Sequence, residues 1–441
     1  MDTLLSNVTV VTMNEKMDVL FGAYLGITDG KIAYMGKTAP EELPKTVIDG
    51  TGMVAMPGLI NCHAHLATSV LRNFVDDATK TEALQQLLAR QARMDERAAK
   101  AATLLSIAEC LRFGVTSVSD LYFFPEVTAQ AVAETGIKAN IALAASRFID
   151  QNEDFDFETD GQCQELVRLT DKWHGYDDGR IAIDVGLHAE YTSNYPLWEG
   201  LSAFAAEKSL RIQLHLSESA EEVADCEERT GLPPAELLSC HGIFSVPAAA
   251  AGCQHLTEQE KTMLGKAKAS AVTTPIAAAK QGFSPAPVTS LVKAGINVAL
   301  GTDSAVASGN LDMFEVMRQI ALQTRQEKGD SATLPAAACL MMATVCGATA
   351  QGRADQCGML KEGMDADIVL VDFSAPHLMP CHDIHAGLVF SAKGGDVAMT
   401  MVRGNILYQN GRFPTIDLNA VVSEIMEYAI PKVMEANKEE L

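Results

Sequence analysis

Residues 53–65 read MVAMPGLINCHAH, an apolar run that ends in two histidines, His63 and His65. Successive side chains of a β-strand point to opposite faces, so two histidines separated by one residue point to the same side. Two imidazoles on one side are suited to bind a single metal ion. The pattern is weak on its own, because two unrelated polar residues in a turn produce the same spacing.

Three further apolar runs end in side chains that bind metals or transfer protons. His188 follows one run, His215 and Glu218 follow another, and Asp303 ends a third. Each has an ordinary alternative, since Asp is a common helix cap and a loop Glu is usually solvated. If the runs are parallel strands of one barrel, their carboxyl ends meet at one rim, where barrel active sites lie. Neutral imidazoles with one carboxylate suit Zn²⁺ or Fe²⁺ and leave a position for water, whose pKa the metal lowers.

The middle of the chain, residues 58–358, alternates between apolar strand-like runs and helical stretches rich in Ala, Glu and Leu. This alternation predicts parallel βα units. An open doubly wound sheet is disfavoured because no GxGxxG follows a strand, and the length suits a closed barrel. We therefore predict an α/β protein with a (β/α)8 barrel. The strand-like runs are 117–121, 139–143, 181–187, 212–216 and 296–300.

Both chain ends have a different pattern, with short β-branched runs separated by Gly-containing turns. Residues 1–57 and 360–415 are therefore predicted to form one small β-domain together, beside the barrel. Residues 416–441 are predicted to form a C-terminal helix that Pro431 interrupts.

Composition narrows the possible functions. The 441 residues carry a formal net charge of −23, which argues against nucleic acid as a partner because phosphate binding needs a basic surface. The 10 cysteines include no CxxC pair, as expected for reduced thiols in a reducing compartment. The sequence shows no signal peptide and no apolar run of about 18 residues, so we expect a cytoplasmic protein without a membrane partner.

Several motifs resemble those of the amidohydrolase superfamily, in the branch that contains the methylthioadenosine/S-adenosylhomocysteine deaminases and the triazine chlorohydrolases. The resemblance covers essentially the whole chain and implies that the domain built from both chain ends is a β-sandwich. The matching segments are PGLINCHAH at 57–65, LRNFVDD at 71–77, HAEYT at 188–192, HLSE at 215–218, GTD at 301–303 and LDMF at 311–314.

The resemblance also implies a metal site. One divalent metal ion is expected, with zinc favoured over iron, and its implied ligands are His63, His65, His215 and Asp303. Glu218 would shuttle protons, as its counterpart does in the deaminases, and Asp303 would also accept a proton from the attacking water. Binuclear members of the superfamily use a carboxylated lysine on the fourth strand. Residues 181–188 contain no lysine, so a single metal is expected.

Two segments depart from the family pattern. Where the family has AHCVHL at the end of the sixth strand, this chain has AGCQHL, so Gly252 stands in place of a histidine that assists catalysis. His255, the second histidine of that motif, is three residues further on, which reverses its side-chain direction on a strand, so we do not expect it to substitute. Where the family has HNPxSN, residues 273–278 read TTPIAA.

These motifs predict a metal-dependent hydrolase that deaminates an amino-substituted nitrogen heterocycle, namely a purine, nucleoside, pterin or triazine, through a metal-bound hydroxide. An ionisable Glu218 favours deamination over dechlorination, because the departing ammonia needs a proton. His188 and Arg147 are predicted substrate contacts. Two alternatives remain, a non-catalytic homologue that keeps the fold and a hydrolase of cyclic amides. A homo-oligomer, either a dimer or a tetramer, is expected.

Overall fold

The computed structural model describes residues 1–148 and 155–434. Its strands are β1 (Thr3–Val11), β2 (Val19–Thr28), β3 (Lys31–Gly36), β4 (Thr46–Asp49), β5 (Met53–Pro57), β6 (Leu59–His65), β7 (Val115–Tyr122), β8 (Lys138–Leu143), β9 (Ile181–Leu187), β10 (Ile212–Leu216), β11 (Ala248–Gly252), β12 (Ser270–Thr273), β13 (Asn297–Leu300), β14 (Asp303–Ser304), β15 (Ile368–Asp372), β16 (Val397–Val402) and β17 (Asn405–Gln409).

The helices of the described ranges alternate with these strands in the middle of the chain. They are α1 (Lys80–Gln91), α2 (Glu96–Arg112), α3 (Pro125–Thr135), α4 (Gly161–Trp173), α5 (Tyr176–Gly179), α6 (Tyr195–Lys208), α7 (Ala220–Thr230), α8 (Pro234–Cys240), α9 (Glu258–Lys266), α10 (Pro275–Lys280), α11 (Val288–Lys293), α12 (Ala305–Ser308), α13 (Met313–Lys328), α14 (Ala336–Ala343), α15 (Val345–Ala350), α16 (Ile384–Ala386), α17 (Leu418–Glu424) and α18 (Ile430–Met434). No helix in the described part of the chain has the length and apolar character needed to cross a membrane.

A nine-stranded parallel sheet carries the strand ends on which the sequence analysis depends. Its order is β13-β12-β11-β10-β9-β8-β7-β6-β14, and its pairs are parallel. Strands such as β7 and β8 are buried along their whole length, as expected when helices cover a parallel sheet. The alternation of parallel strands and helices is therefore confirmed, and the sheet is consistent with a TIM-like barrel.

The two ends of this sheet meet at residues 301–302, which separate β13 from β14. The Asn61 side chain on β6 donates to Thr302 Oγ1 at 2.7 Å and accepts from the Thr302 backbone N–H at 3.0 Å. Gly301 lies against β6 so closely that an added Cβ would be 2.9 Å from the backbone N and O of His63. Glycine is therefore required at 301, and the contact brings Asp303 alongside the histidines of β6.

A second, eight-stranded sheet combines both ends of the chain. Its order is β17-β16-β15-β5-β1-β2-β3, with β4 paired to β1. Strand β5 belongs to this sheet and is followed, after Gly58 alone, by β6 of the parallel sheet. An added Cβ at Gly58 would lie 2.0 Å from Thr116 Oγ1, so the chain passes between the sheets through a position that excludes any side chain.

A buried ion pair joins the two sheets. Lys138, at the start of β8, is 1% exposed, and its Nζ lies 2.7 Å from Asp365 and 2.6 Å from Asp367, just before β15. Removing one partner of such a pair leaves an uncompensated buried charge and typically costs about 3–5 kcal/mol. The contact therefore fixes the eight-stranded sheet against the amino-terminal side of the parallel strands.

The C-terminal segment is helical from Leu418 onward but is not one regular α-helix. A π-helical turn, Ile425–Ala429, separates α17 from α18, and Pro431 lies in the first turn of α18. Proline lacks the N–H of a regular helix, and a wider turn before it accommodates the loss. Residues 435–441 of the predicted helix lie outside the described residues.

Candidate active site

Three histidines form a compact cluster at the carboxyl ends of β6 and β10. One ring nitrogen from each of His63, His65 and His215 lies within 4.8 Å of the others. His63 is 3% exposed, and its Nε2 has no hydrogen-bond partner among the described residues. Burial, followed by the neighbouring histidines, lowers the pKa of His63 well below its usual value. His63 is therefore uncharged at neutral pH, which is the form of imidazole that binds a metal.

Backbone carbonyls orient two of these rings. Nδ1 of His65 lies 2.6 Å from the Leu121 carbonyl, and Nδ1 of His215 lies 2.6 Å from the His188 carbonyl. Because a carbonyl only accepts, each Nδ1 must carry the proton, and each Nε2 presents its lone pair to the cluster. The two Nε2 atoms are 3.4 Å apart. Two nitrogens bound to one tetrahedral zinc are separated by about 3.3 Å, so this spacing suits a shared metal.

Asp303 lies at the edge of the cluster. Its Oδ1 is 3.6 Å from His65 Nε2, and its backbone has a φ of 63°, the left-handed region that Asp tolerates better than most residues. The sequence analysis placed Asp303 in the ligand set, and the structure brings it beside His65. The group of atoms within 4.8 Å of one another consists of the three histidines without Asp303.

Replacing Asn61 with Ala should weaken both the fold and metal binding. The substitution removes three hydrogen bonds, because Asn61 Oδ1 also accepts from the His63 N–H at 3.4 Å, and it leaves the buried amide of Thr302 unpaired, which typically costs about 1–3 kcal/mol. Asp303 would lose one of the contacts that hold it beside β6, and the pairing of β14 with β6 would remain. Urea unfolding and a metal titration would measure the two effects.

Asn297→Ala provides the matched control. The Asn297 amide donates to Ser270 Oγ at 3.0 Å and to the Cys346 carbonyl at 2.9 Å, at the opposite end of β13. The control should lower the free energy of unfolding and leave metal affinity unchanged. If Asn61→Ala protein binds the metal as tightly as wild-type protein, the Asn61–Thr302 contact does not position Asp303 for metal binding.

Glu218 follows β10 in a loop that its neighbours hold in place. Its backbone N–H and that of Ser217 donate to the Glu222 carboxylate at 2.8 and 2.7 Å. Ser219 caps α7 by accepting from the Glu222 N–H. Burial, followed by the charges of Asp303 and Glu222, raises the pKa of Glu218 well above its usual value. A carboxyl that stays protonated near neutral pH can donate a proton.

The structure places the two predicted substrate contacts differently. The His188 ring lies 5.1 Å from the His215 ring, and its Nδ1 is 2.9 Å from Thr192 Oγ1. Burial, followed by His215 and His65, lowers the pKa of His188 to about 3, so the ring is neutral. The Arg147 guanidinium lies 3.8 Å from Asp160 and over the ring of Phe155. Its backbone N–H donates to the Thr192 carbonyl, which links its loop to that of His188.

Two of the residues that support the site were not found by the sequence analysis. Glu222 holds the Glu218 loop, and the Ser219-x-x-Glu222 capping pattern before a helix is the signal that could have found it. Asn61 is part of a matching motif, but its partner was not predicted.

The segments that depart from the family pattern lie at the ends of β11 and β12. Gly252 ends β11, and the side chain of His255 is not part of the histidine cluster. Residues 273–278 end β12 and begin α10, where Ala277 and Ala278 are buried. This second segment therefore presents small apolar side chains where the family has polar ones.

A TIM-like parallel sheet whose strand ends gather three histidines and acidic side chains defines a class of metal-binding α/β proteins. Residues 54–407 match the model of the amidohydrolase family, and the chain belongs to this family. The resemblance identified from the motifs is thereby confirmed.

The curated relatives include deaminases of adenine nucleosides. A 5-methylthioadenosine/S-adenosylhomocysteine deaminase of Acetivibrio thermocellus is 34% identical, over 97% of this chain and 99% of the relative. A 5'-deoxyadenosine deaminase of Methanosarcina mazei is 33% identical, over 99% of each chain.

Solved structures share the fold. An adenosine deaminase from Xanthomonas campestris with bound zinc has a TM-score of 0.91 and 28% identity, over 98% of both chains. An atrazine chlorohydrolase from Arthrobacter aurescens complexed with zinc has a TM-score of 0.90 and 24% identity, over 97% of this chain and 100% of the other. At that identity the chlorohydrolase is informative about the fold alone.

Proposed function

We propose that this protein is a zinc-dependent deaminase that removes the exocyclic amino group of an adenine nucleoside or a related amino-substituted nitrogen heterocycle. The proposal depends chiefly on the buried Nε2 of His63 within the histidine cluster, for which the described part of the chain offers no hydrogen-bond partner. Asp303 lies beside that cluster, and the charge of Asp303 helps to raise the pKa of Glu218. Relatives that the chain matches over almost their whole length are named 5-methylthioadenosine/S-adenosylhomocysteine deaminase and 5'-deoxyadenosine deaminase, and a structural neighbour holds zinc.

The donor set fits zinc, since three neutral imidazoles and one carboxylate are ligands that this ion prefers. His63, His65, His215 and Asp303 would hold the ion. When bound, zinc would supply a Lewis acid that makes water nucleophilic near neutral pH. Asp303 also accepts a proton from the attacking water, because its carboxylate lies next to the ligand nitrogens.

Glu218 moves the other protons. In its protonated form it donates to the ring nitrogen beside the attacked carbon, which makes that carbon more electrophilic. The remaining proton of the added water then passes through Glu218 to the departing group, which leaves as ammonia, and transfer of the Asp303 proton to Glu218 restores both carboxyls. The loop contacts with Glu222 keep the carboxyl in position for both transfers.

His188 and Arg147 bind the substrate. The neutral His188 ring lies next to His215, so its Nε2 can contact a heterocycle bound at the histidine cluster. Arg147 contacts the substrate from the loop after β8, which its backbone N–H joins to the Thr192 carbonyl.

The architecture that accompanies this function is a closed (β/α)8 barrel over residues 58–358. A β-sandwich domain of residues 1–57 and 360–415 accompanies the barrel, followed by a C-terminal helix in 416–441. The pairing of β14 with β6 and the order of the eight-stranded sheet support this division. A cytoplasmic homo-oligomer remains our prediction.

Elemental analysis followed by an ammonia-release screen tests the function. We expect one tightly bound zinc per chain and ammonia release from at least one adenine nucleoside, with cyclic amides left intact. Pterins and aminotriazines complete the panel. Two tightly bound metals would contradict the single-site assignment. Zinc-containing protein that releases no ammonia from any compound would favour the non-catalytic alternative, and turnover of cyclic amides alone would favour an amide hydrolase.

A further inference from the structure

The end of β11 cannot carry a side chain at Gly252 in this structure. Gly252 has a φ of 102°, which side chains rarely adopt. An ideal Cβ built there would lie 2.5 Å from Glu218 Cγ and 2.8 Å from the Leu216 carbonyl oxygen. The Leu216 carbonyl is fixed because it accepts from the Cys253 N–H at 2.7 Å. A histidine at 252 would therefore have to displace Glu218, so the missing histidine and the Glu218 position are coupled.

The side chain of Gln254 occupies the space beside this glycine. Its Oε1 lies 3.1 Å from the position of the ideal Cβ at 252, so Gln254 and Glu218 approach the same point. Gln254 is 8% exposed, and its Oε1 has no hydrogen-bond partner among the described residues. A buried carbonyl oxygen without a donor is uncommon and carries a free-energy penalty in the protein without a ligand. A bound molecule that supplies a donor would remove this penalty.

We propose that Gln254 is a substrate-positioning residue whose Oε1 accepts a hydrogen bond from the amino group that is removed. This inference rests on the proposed function. It identifies the edge of the substrate that carries the amino group as the edge that Gln254 contacts. A carboxamide offers an acceptor and a donor side by side. That pair matches the amino group and adjacent ring nitrogen of a 6-aminopurine, the same match by which Gln reads adenine in nucleic acids.

The Gln254 carboxamide should distinguish the amino substrate from the 6-oxo product. The 6-oxo product has an acceptor where the substrate has an amino donor, so Oε1 gains no partner from the product. Gln254 therefore favours binding of the amino compound over the oxo compound. A site that leaves a polar group unpaired with the wrong ligand discriminates strongly against it.

Ligand binding without turnover tests the inference. Glu218→Gln protein serves as the background, and calorimetry measures the Kd of 5'-methylthioadenosine and of its 6-oxo product, 5'-methylthioinosine. Adding Gln254→Met keeps the side-chain length and removes the amide. We expect the Kd of the amino compound to rise about tenfold, a change of about 1.4 kcal/mol, and that of the oxo compound to change less than about threefold. Zinc content should stay the same.

Gln254→Leu also removes the amide and replaces Gln254→Met if that variant does not fold. Gln130→Leu, a half-buried glutamine on α3, is the matched control and should change neither Kd. Equal changes for the amino and oxo compounds, or no change for either, would overturn the inference while wild-type ammonia release stands. A wild-type protein that neither binds nor deaminates any aminopurine overturns the proposed function, and the role of Gln254 falls with it.

Discussion

Glu218→Gln should lower kcat for ammonia release about 10²–10⁴-fold and leave the zinc content unchanged. Glutamine keeps the shape of the side chain and the backbone contact to Glu222, but it can neither donate a proton to the ring nor pass one to the leaving group. The effect should be large because burial holds the pKa of Glu218 well above its usual value, where the acid form needed for donation persists. Glu218 is not a proposed ligand, so the metal should remain bound.

The measurement pairs steady-state kinetics with elemental analysis on the same samples. Glu228→Gln, on the exposed face of α7, makes the same chemical change outside the site and should have wild-type kinetics. If Glu218→Gln and wild-type protein turn over the substrate equally, Glu218 has no part in the mechanism. If the variant loses zinc, its effect on rate would be an effect on the metal site, and the role of Glu218 as a proton carrier would be wrong.

The site residues that the sequence predicts are those that a short stretch of sequence around each one is enough to identify. His63, His65, His215 and Asp303 each end an apolar run, and the parallel arrangement of the runs is sufficient to bring the strand ends together. The structure brings the three histidines within 4.8 Å, as the strand alternation indicates. Their role as ligands remains a prediction until the metal is measured.

The supporting contacts could not be predicted, because they depend on pairs that are distant in sequence. Asn61 and Thr302 are 241 positions apart, and neither residue type alone indicates the other. The C-terminal segment likewise reads as one helix with a proline, whereas the position of its π-helical turn depends on packing against α2. There Tyr428 donates to Asp95 at 2.5 Å.

The sixth strand illustrates a different limit. Strand alternation gave the reason not to expect His255 as a substitute for the missing histidine, but β11 ends at Gly252, so alternation does not apply to the residues after it, Gln254 included. The positive φ values of Gly252 and Cys253, 102° and 63°, end the regular strand and redirect the chain. The alternation of residue types along a strand does not predict positive φ values. Gln254 and Glu218 lie close together only because the loops after β10 and β11 pack against each other.

His63→Ala should abolish both tight zinc binding and ammonia release. In other metalloproteins, removing a residue that only hydrogen-bonds to a ligand lowers metal affinity about 10–100-fold. His63 is a buried member of the cluster and a proposed ligand, so its removal should lower the affinity by more than that. The same substitution removes a ring that packs against both others, with ring centres 4.8 Å from His65 and 4.8 Å from His215. The remaining histidines would then be held together less closely.

Thermal unfolding provides a readout of this variant that does not depend on turnover. A metal that binds only the folded state stabilises it by about 2.7 kcal/mol when its free concentration is 100 times Kd, so added zinc should raise the Tm of metal-stripped wild-type protein. The Tm of His63→Ala protein should not respond at that zinc concentration. His241→Ala removes an imidazole that pairs with Glu199 away from the cluster and should keep the wild-type response. A His63→Ala protein that retains one zinc per chain and the same Tm shift would exclude His63 as a ligand, and the cluster would then have to bind its metal through His65, His215 and Asp303 alone.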